Sequence, residues 1–408
     1  MEVVRNITQD TVWVGGGDVR LALFENMFPL ENGVSYNSFL ISDEKTALVD
    51  TVDESVGRRF IENIKASLNG RSLDYLIINH MEPDHCANIE EICRLFPKVQ
   101  IVGNKKTFQM IQQFYDMDIS GRTLEVKDGD SLSLGTHTLR FIFAPMVHWP
   151  EVMFTYDDYD KILFSADAFG TFGGYTGNLF SDEVDYEEVY FNEARRYYTN
   201  IVGKYGVQVQ AALKKMSAMD IRMICPLHGP ILRGDGMQRI LDKYALWSSY
   251  QPEERGVLLT YASMYGNTEN AVQLLANLLA QNGVKNIRVY DVSKTHFSTI
   301  VADAFRFSHL VFASPTYNLR LYSAMENVIG DLAALNFQNR EVSVIGNGSW
   351  APAAGKIMVN KLSEMKDMRF IGEALEIKSA LKKDQYPEME NLAKAISASV
   401  LCADENRV

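Results

Sequence analysis

The sequence predicts two domains, an αββα sandwich over residues 1–250 and a doubly wound parallel α/β sheet over residues 254–404. Three observations lead to this expectation. A chain of 408 residues is too long for one ordinary hydrophobic core. The part before residue 250 contains a series of strand-like runs with helices, followed by a second such series. The part after residue 254 alternates strand and helix, which is typical of a doubly wound parallel sheet.

The first domain is expected to begin with short strands of an antiparallel-rich sheet, at residues 11–14, 21–24, 38–42 and 47–52. A helix over 55–68 has apolar residues at helical spacing and stops at Asn69-Gly70. Further strands are predicted at 75–78 and 99–102, and further helices at 89–96 and 105–115. The second series places strands at 124–126, 131–134, 138–143, 152–156 and 162–165. It is completed by one long helical region at 187–219, a strand at 221–224 and a helix at 237–250.

Residues 251–255 read as a linker, and a regular βα rhythm follows them. Strands are predicted at 257–261, 287–290, 310–313, 342–345 and 374–377. The helices between and after them are expected at 269–281, 299–305, 324–335 and 356–364, with a final helix at the C-terminal end.

Composition excludes some classes of partner. The formal net charge of −12 and the pI of about 5.2 argue against nucleic acid or an anionic membrane. No apolar run approaches membrane-spanning length, and the N-terminus has charges where a signal peptide needs an apolar stretch. The four cysteines form no C-x-x-C pair and no disulfide framework. We therefore expect a cytoplasmic protein.

Four side chains with metal-ligand chemistry lie within one run of six residues, directly after the apolar run 76–78. They are His80, Glu82, Asp84 and His85. The carboxyl ends of strands are where such sheets usually carry their sites, so this run is a candidate metal site. A polar turn that happens to hold these residues is the alternative.

Three more candidate ligands each follow a predicted strand: His148, Asp167 and His228. A single strand-end histidine or aspartate is more often part of a capped turn, but four of the seven histidines share this setting. The other three, His137, His296 and His309, have no comparable setting. Cys86 and Cys225 lie near candidate ligands and are read as packing residues.

A second candidate site lies in the last domain. The strand at 257–261 leads through a loop into a helix, and this arrangement suits an anion cradle at the helix N-terminus. The loop residues are Ser263, Met264, Tyr265, Gly266, Asn267 and Thr268. Two more strand-end loops each place an aromatic ring where a planar ligand could stack. Their residues are Pro315, Thr316, Tyr317 and Asn318, and Asn347, Gly348, Ser349 and Trp350. A different phosphate ligand, a plain capped turn and core aromatic residues are the alternatives at these loops.

Residues 254–404 resemble flavodoxin, whose FMN phosphate loop has the pattern S-x-x-G-N-T found here at 263–268. The resemblance implies that Tyr317 and Trp350 belong to the loops that hold the isoalloxazine.

The order H-x-[HE]-x-D-H followed by distant His, Asp and His resembles the metal-ligand order of the metallo-β-lactamase superfamily. Its hydrolases usually have histidine at the third position and bind zinc, whereas this sequence has Glu82. Four imidazoles with three carboxylates form a harder, more anionic site, which suits iron that must reach the ferric state. The family that has this variant joined to a flavodoxin-like domain is the flavodiiron proteins, and the chain resembles their two-domain class A.

The flavodiiron resemblance implies a ligand set and an activity. His80, Glu82 and His148 would bind one iron, Asp84, His85 and His228 the other, and Asp167 would bridge the two. The cofactors would be two iron ions and FMN, and the reaction the reduction of dioxygen to water and/or nitric oxide to nitrous oxide. The implied electron donor is external, a rubredoxin-like protein or a reduced deazaflavin. The implied assembly is a head-to-tail homodimer or a dimer of such dimers.

Two other functions remain open at this point. One is a metal-dependent hydrolase with an attached flavodoxin domain, against which Glu82 argues. The other is an electron carrier whose first domain is only a scaffold, against which seven intact candidate ligands argue. Tyr197 and Tyr198 are hypothetical outer residues of the metal site that could affect the choice of gas, and packed helix tyrosines are the simpler reading.

Overall fold

A computed structural model of the protein describes residues 2–402 and divides the chain into two units, Met1–Ala245 and Leu246–Val408. The first unit contains two large β-sheets that share one core, and the second contains a parallel sheet with a core of its own. The predicted fold class, an αββα sandwich followed by a doubly wound sheet, is confirmed.

The strands of the first domain are short. They are β1 (Arg5–Asn6), β2 (Thr11–Trp13), β3 (Gly16–Asp18), β4 (Leu23–Phe24), β5 (Phe28–Pro29), β6 (Val34–Tyr36), β7 (Phe39–Ser42), β8 (Thr46–Val49), β9 (Tyr75–Ile77), β10 (Gln100–Gly103), β11 (Thr123–Glu125), β12 (Ser131–Ser133), β13 (Thr138–Phe143), β14 (Met153–Asp157), β15 (Ile162–Phe164), β16 (Met223–Cys225) and β17 (Leu232–Arg233). The first sheet has the order β1-β2-β7-β8-β9-β10-β11, and the second runs from β12 to β17 in chain order. The pairs β3-β6 and β4-β5 form two small separate sheets.

Eight α-helices accompany these strands among the residues described up to Ser248. They are α1 (Gly57–Leu68), α2 (Pro83–Cys86), α3 (Ile89–Leu95), α4 (Lys105–Phe114), α5 (Tyr186–Val189), α6 (Phe191–Tyr197), α7 (Gly206–Met216) and α8 (Gly234–Ser248). Helix α1 shows why they form: Phe60, Ile64 and Leu68 recur every four residues and are all buried. Each such burial contributes about 1.5–3 kcal/mol. The helix stops at Asn69, which takes a left-handed φ of 47° and caps the last turn.

The core of the first domain lies between its two sheets. Phe39, Ile41 and Val49 from the first sheet belong to the same buried cluster as Phe141 and Phe164 from the second. The rings of Phe39 and Phe164 lie 5.2 Å apart. This shared core places the end of β9 close to the loops that follow strands of the second sheet.

The second domain alternates strand and helix. Its elements are β18 (Glu254–Tyr261), α9 (Asn267–Gln281), β19 (Ile287–Asp291), α10 (Phe297–Arg306), β20 (Phe307–Tyr317), β21 (Arg320–Leu321), α11 (Ser323–Ala334), β22 (Arg340–Asn347), α12 (Ala354–Ser363), β23 (Met368–Phe370), β24 (Leu375–Ile377) and α13 (Tyr386–Leu401). The sheet order is β19-β18-β20-β22-β23, with parallel pairing between these strands. This is the flavodoxin-like order 2-1-3-4-5, in which ligands bind at the carboxyl ends of the central strands.

Several sequence expectations were wrong in detail. The strand predicted at 124–126 belongs to the first sheet, where it pairs in parallel with β10, and not to the second series. The first sheet is mixed, because β8, β9, β10 and β11 pair in parallel. The strand expected at 21–24 shortens to β4 and pairs only with β5, outside both large sheets.

The helical region predicted at 187–219 is broken into pieces. Helix α6 passes into a π-helical turn at Tyr198–Val202 and a 3-10 turn at Gly203–Tyr205 before α7 begins. Glycine is a poor helix former, and Gly203 and Gly206 both fall at these junctions. The last predicted strand, at 374–377, is found as β24, and the sequence analysis missed β23, which also pairs with β22.

Candidate functional site

The run 80–85 is held in place by a buried aspartate that sequence analysis missed. Asp50 Oδ1 accepts hydrogen bonds from the backbone N–H groups of Asn79 at 2.7 Å and His80 at 3.2 Å. Asp50 Oδ2 accepts another from the Asn79 side chain at 3.0 Å. Burial raises the pKa of Asp50 to about 6, and the two N–H groups oppose that rise. Its position at the end of β8 is the only signal that the sequence offered.

All seven predicted ligands lie together in two clusters. His80, Glu82, His148 and Asp167 form the first, and Asp84, His85 and His228 form the second. Within each cluster the candidate ligand atoms lie within 4.8 Å of one another. All seven residues lie in segments that follow β-strands, with Asp84 and His85 on the short helix α2 after β9. The convergence of these segments on one edge brings them together.

The first cluster surrounds Glu82. Its Oε2 lies 3.3 Å from His80 Nε2 and 3.1 Å from His148 Nε2. In the second cluster, Asp84 Oδ2 lies 3.3 Å from Nε2 of both His85 and His228. Distances of about 3 Å between several donor atoms are those expected for ligands that share one metal ion.

Asp167 lies between the two clusters. Its Oδ2 lies 3.0 Å from His148 Nε2 and 3.4 Å from His80 Nε2 in the first cluster. Its Oδ1 lies 3.1 Å from His85 Nε2 in the second. One carboxylate therefore presents one oxygen to each group, as a bridging ligand does.

In both clusters, burial and the neighbouring charges shift the pKa values of candidate ligands in opposite directions. Burial opposes protonation of His148 and of His228, but the adjacent carboxylates raise the pKa of each to about 9. Burial likewise opposes ionisation of Asp167, but the surrounding histidines hold its pKa well below the usual range. Positive charge is thus favoured beside these carboxylates, whether protons or metal ions supply it.

Orphaned buried oxygens show that the residues fit metal ions. Both carboxylate oxygens of Asp84 and Oδ1 of Asp167 are buried without a hydrogen-bond partner among residues 2–402. Such oxygens are costly unless a cation neutralises them. The imidazole of His85 faces that of His228 with their Nε2 atoms only 3.0 Å apart. A metal ion would satisfy both nitrogens and Asp84 together.

Two hydrogen-bond acceptors outside the clusters orient the imidazoles of His80 and His228. Glu151 Oε1 accepts a hydrogen bond from His80 Nδ1 at 2.9 Å, and the carbonyl of Ser35 accepts one from His228 Nδ1 at 2.8 Å. Each contact leaves Nε2 free to face its cluster. Glu151 is fully buried and was missed by sequence analysis, although it follows His148 by three residues.

The two tyrosines that the sequence singled out differ in their surroundings. The Tyr197 ring lies 5.6 Å from the His228 ring, and its hydroxyl is buried with no hydrogen-bond partner in the described part of the chain. The Tyr198 ring packs against Tyr244 at 4.7 Å. Tyr197 thus lies beside a metal-ligand candidate.

Both cysteines near the clusters are buried, free thiols. Burial raises the pKa of Cys86 to about 12 and that of Cys225 well above its usual range. Neither belongs to a cluster that could hold a metal ion among the described residues, so both are packing residues. His137 differs from its sequence reading, because it forms a separate cluster with Asp157 and Asp160.

In the second domain, the loop between β18 and α9 forms a tight turn into the helix. Gly266 has a φ of 86°, a left-handed conformation that favours glycine. Ser263 Oγ accepts hydrogen bonds from the backbone N–H groups of Gly266 at 3.1 Å and Glu269 at 3.4 Å. The first residues of α9 are Asn267 and Thr268, so their N–H groups belong to the turn that lacks helical acceptors. This is a site suited to phosphate.

A cavity of about 370 Å³ opens at the carboxyl ends of β18, β20 and β22. It is lined by Ser263, Met264, Tyr265, Asn267, Thr268, Pro315, Thr316, Asn318, Leu319, Asn347, Gly348, Ser349, Trp350 and Ser379. Its volume is in the range of small-molecule sites. Leu319 and Ser379 were not predicted. Gly266 and Tyr317 were predicted but do not line the cavity, and the Tyr317 ring lies 6.1 Å from that of Tyr322.

The cavity lining has an acceptor and aromatic faces that suit a flavin ring. Asn347 donates hydrogen bonds to Thr268 Oγ1 and to the Ser379 carbonyl, each at 3.1 Å. Its Oδ1 is buried with no partner among the described residues, so it can accept from a ligand. Trp350 and Tyr265 are 80% and 90% exposed, which leaves their faces available for a planar ring.

Comparison with known proteins agrees with this organisation. Residues 34–229 match a family model described as ODP family beta lactamase, and residues 259–392 match the flavodoxin model. A nitric oxide reductase of Moorella thermoacetica is 32% identical over 363 residues, covering 88% of this chain and 90% of that protein.

Two solved structures are similar over almost the whole chain. The rubredoxin:oxygen oxidoreductase of Desulfovibrio gigas has a TM-score of 0.91 at 25% identity, and covers 98% of each chain. The flavodiiron protein of Giardia intestinalis has a TM-score of 0.91 at 26% identity, with the same coverage. Among the helices described for residues 2–402, none combines the length and apolar character needed to cross a membrane. Two matched domains, full-length coverage and the clustered histidines and carboxylates together show that this chain belongs to the flavodiiron protein family of oxidoreductases.

Proposed function

We propose that the chain reduces nitric oxide to nitrous oxide and/or dioxygen to water, using two iron ions and FMN. The observation that carries this proposal is the position of Asp167, with one oxygen toward each of two buried His/carboxylate clusters. A one-metal site has no need of that arrangement, and Glu82, in place of the histidine usual in the zinc hydrolases, argues against a two-zinc hydrolase. The similarity to a nitric oxide reductase and to an oxygen oxidoreductase supports the same activity class.

The distances suggest how the metals are shared. His80, Glu82 and His148 would hold one iron, and Asp84, His85 and His228 would hold the other. Asp167 would bridge them through its two oxygens. Three carboxylates among seven ligands favour a hard, oxidisable metal over zinc, for which the hydrolases of the superfamily use more histidine.

The phosphate of FMN would lie on Ser263, Asn267 and Thr268, with the flavin ring beside Trp350. When bound, two ferrous ions and one reduced FMN would hold about four electrons, the number needed to reduce dioxygen to two waters, whereas two molecules of nitric oxide need about two.

Residues of the first domain orient the candidate ligands and shield them from solvent. Glu151 and Ser35 orient imidazoles, so the ligand nitrogens point into the clusters before metal binds. His80, His85 and His228 are fully buried. The low accessibility limits competing solvent at the ligands and strengthens their electrostatic interactions.

Electrons would come from an external donor, because the chain has no nicotinamide fingerprint and no C-x-x-C iron site. A rubredoxin-like protein or a reduced deazaflavin fits this requirement. The four cysteines are free thiols, which suits a reducing, cytoplasmic setting.

A head-to-tail homodimer, alone or paired into a tetramer, is the assembly that we propose. Each domain has its own core and its own site, and a domain of this length spans tens of ångströms. Electron transfer across tens of ångströms is slow. A two-fold head-to-tail contact would instead bring the flavin of one chain to the metals of the other, twice per dimer.

Anaerobic steady-state kinetics test the function directly. Iron- and FMN-loaded protein with a reduced donor is expected to consume nitric oxide, dioxygen or both, with nitrous oxide or water as product. The ratio of kcat/KM for the two gases would give the preference. Two zinc ions with esterase or lactamase activity, and no gas consumption, would instead establish the hydrolase alternative. Full physiological competence without bound iron would establish the electron-carrier alternative.

A further inference from the structure

A third cluster of metal-capable side chains lies away from the seven predicted ligands. It contains His137, Asp157 and Asp160, whose candidate ligand atoms lie within 4.8 Å of one another. His137 immediately precedes β13, Asp157 ends β14, and Asp160 lies in the turn before β15. The cluster therefore forms at one end of the second sheet.

The imidazole of His137 has a fixed orientation. Its Nδ1 donates a hydrogen bond to Asp157 Oδ2 at 2.8 Å, and Asp157 Oδ1 accepts another from the backbone N–H of Tyr159 at 3.0 Å. The His137 backbone N–H donates to Asp43 Oδ2 at 2.7 Å. A carboxylate that holds Nδ1–H is the usual outer partner of a metal-binding histidine, since it directs the Nε2 lone pair outward.

The other ring nitrogen is left without a hydrogen bond. His137 is 1% exposed, and its Nε2 is buried with no hydrogen-bond partner among residues 2–402. The nearest carboxylate oxygen given for it is Asp10 Oδ2 at 3.5 Å, longer than a good hydrogen bond. Two donors that each lie about 2.1 Å from one tetrahedral ion are about 3.4 Å apart. The observed separation therefore suits two ligands of one ion.

Thr8, in the turn before β2, forms hydrogen bonds with both Asp160 and Asp10. Thr8 Oγ1 donates a hydrogen bond to Asp160 Oδ2 at 2.6 Å and accepts one from the backbone N–H of Asp10 at 3.4 Å. Burial opposes protonation of His137, but Asp157, Asp160 and Asp10 raise its pKa to about 9. The same negative field that holds a proton would attract a divalent cation.

We propose that His137 Nε2 and Asp10 Oδ2, which lie 3.5 Å apart, bind a divalent first-row transition-metal ion together with Asp160, and that Asp157 is the positioning residue that orients His137. Asp10 lies outside the cluster of His137, Asp157 and Asp160 and joins it through this contact with Nε2. One imidazole with two carboxylates is a donor set suited to zinc or manganese. Asp10 adjoins β2 of the first sheet, whereas the other residues belong to the second sheet. The ion would join the two sheets and stabilise the sandwich, independently of the redox function.

Zinc is the probe for this site. Iron- and FMN-loaded protein would be dialysed against Zn²⁺, and zinc, iron and flavin would be counted per chain. We expect one zinc per chain with iron and flavin unchanged, and a higher Tm with zinc than without it. Asp10→Asn and Asp160→Asn are expected to lose the zinc and the Tm increase. Asp157→Asn should weaken zinc binding by about 10–100-fold, because the imidazole loses its outer carboxylate.

Asp158→Asn is the matched control, since it removes one charge from the same turn. The Asp158 carboxylate pairs with Arg140 at 2.7 Å instead of facing the cluster, so this variant should keep its zinc.

If Asp160→Asn does not fold, Asp10→Asn decides, because Asp10 lies at the rim with its side chain 37% exposed. The proposal would be overturned if the protein bound zinc only where zinc displaces iron. It would also be overturned if Asp10→Asn and Asp160→Asn took up as much zinc as the unchanged protein. His137 would then simply hold a proton between carboxylates. Equal uptake of Mg²⁺ would contradict the choice of a transition metal.

Discussion

The carboxylate of Glu151 accepts a hydrogen bond from Nδ1 of His80 at 2.9 Å, and both side chains are fully buried. The same oxygen accepts the backbone N–H of Met81 at 2.8 Å, so Glu151 anchors both the ring and the start of its loop. This contact lies on the side of His80 opposite to Glu82 and Asp167. The imidazole is thereby oriented before any metal is bound.

Replacing Glu151 with glutamine should weaken iron binding by about 10–100-fold while flavin content stays unchanged. The amide keeps the shape of the side chain but removes the charge that strengthens His80 as a ligand. Iron affinity and the Mössbauer spectrum of the loaded protein would measure the effect. Glu90→Gln, an exposed change on α3, is the control. Unchanged affinity and spectrum in Glu151→Gln would show that the contact is only structural.

Replacing Asp167 with alanine should lower iron content at both clusters and abolish gas reduction, with FMN still bound. The reason is that one carboxylate presents an oxygen to each cluster, so its loss affects both. Metal analysis and flavin absorbance on the same sample give the two contents. Retention of two irons with full turnover would remove Asp167 from the site.

Replacing Trp350 with alanine should weaken FMN binding and leave iron unchanged. An aromatic stacking contact is worth about 0.5–1.5 kcal/mol, which corresponds to a loss of roughly 2–10-fold in affinity. Flavin fluorescence titration and the flavin potential would measure it. Tyr317→Ala tests the stacking that the sequence predicts for that ring, which lies outside the cavity lining. Unchanged affinity and potential in Trp350→Ala would count against stacking.

Replacing Tyr197 with phenylalanine should change the ratio of kcat/KM for nitric oxide and dioxygen without loss of iron. Its hydroxyl is buried beside His228, so it is the group that could contact a gas molecule or its products. Folding should be little affected, because the hydroxyl has no partner to lose among the described residues. Tyr198→Phe is the matched control. Equal loss, or no loss, for both gases in the two variants would reject a role in selectivity.

Mixing two inactive variants tests electron transfer between subunits. One variant combines Asn267→Ala with Thr268→Ala and lacks the phosphate site, and the other carries Asp167→Ala. If transfer occurs between chains, refolding them together should restore one working flavin–metal pair in each mixed dimer. Transfer within a chain would restore none. A fully active monomer, or no recovery in verified mixed dimers, would contradict the head-to-tail assembly.

The sequence by itself determined the two domains and which seven residues converge. Strand periodicity and the position of polar residues at strand ends are local properties, and parallel or adjacent strands bring such ends to one edge. The same reasoning found the loop at 263–268, because its glycine and hydroxyls form a local pattern before a helix. These features need no knowledge of which distant segments meet.

The tertiary structure decided what depends on distant contacts. Asp50 and Glu151 carry no motif, and only the packing of β8 and the β13–β14 loop against the run 80–85 makes them partners of His80. His137 looked isolated because its carboxylate partners lie far from it in sequence, Asp10 by more than a hundred residues. The bridging position of Asp167 was implied only by the family resemblance and not by any local pattern, since it depends on where each carboxylate oxygen points. Side-chain direction is set by the whole fold, and local pattern does not contain it.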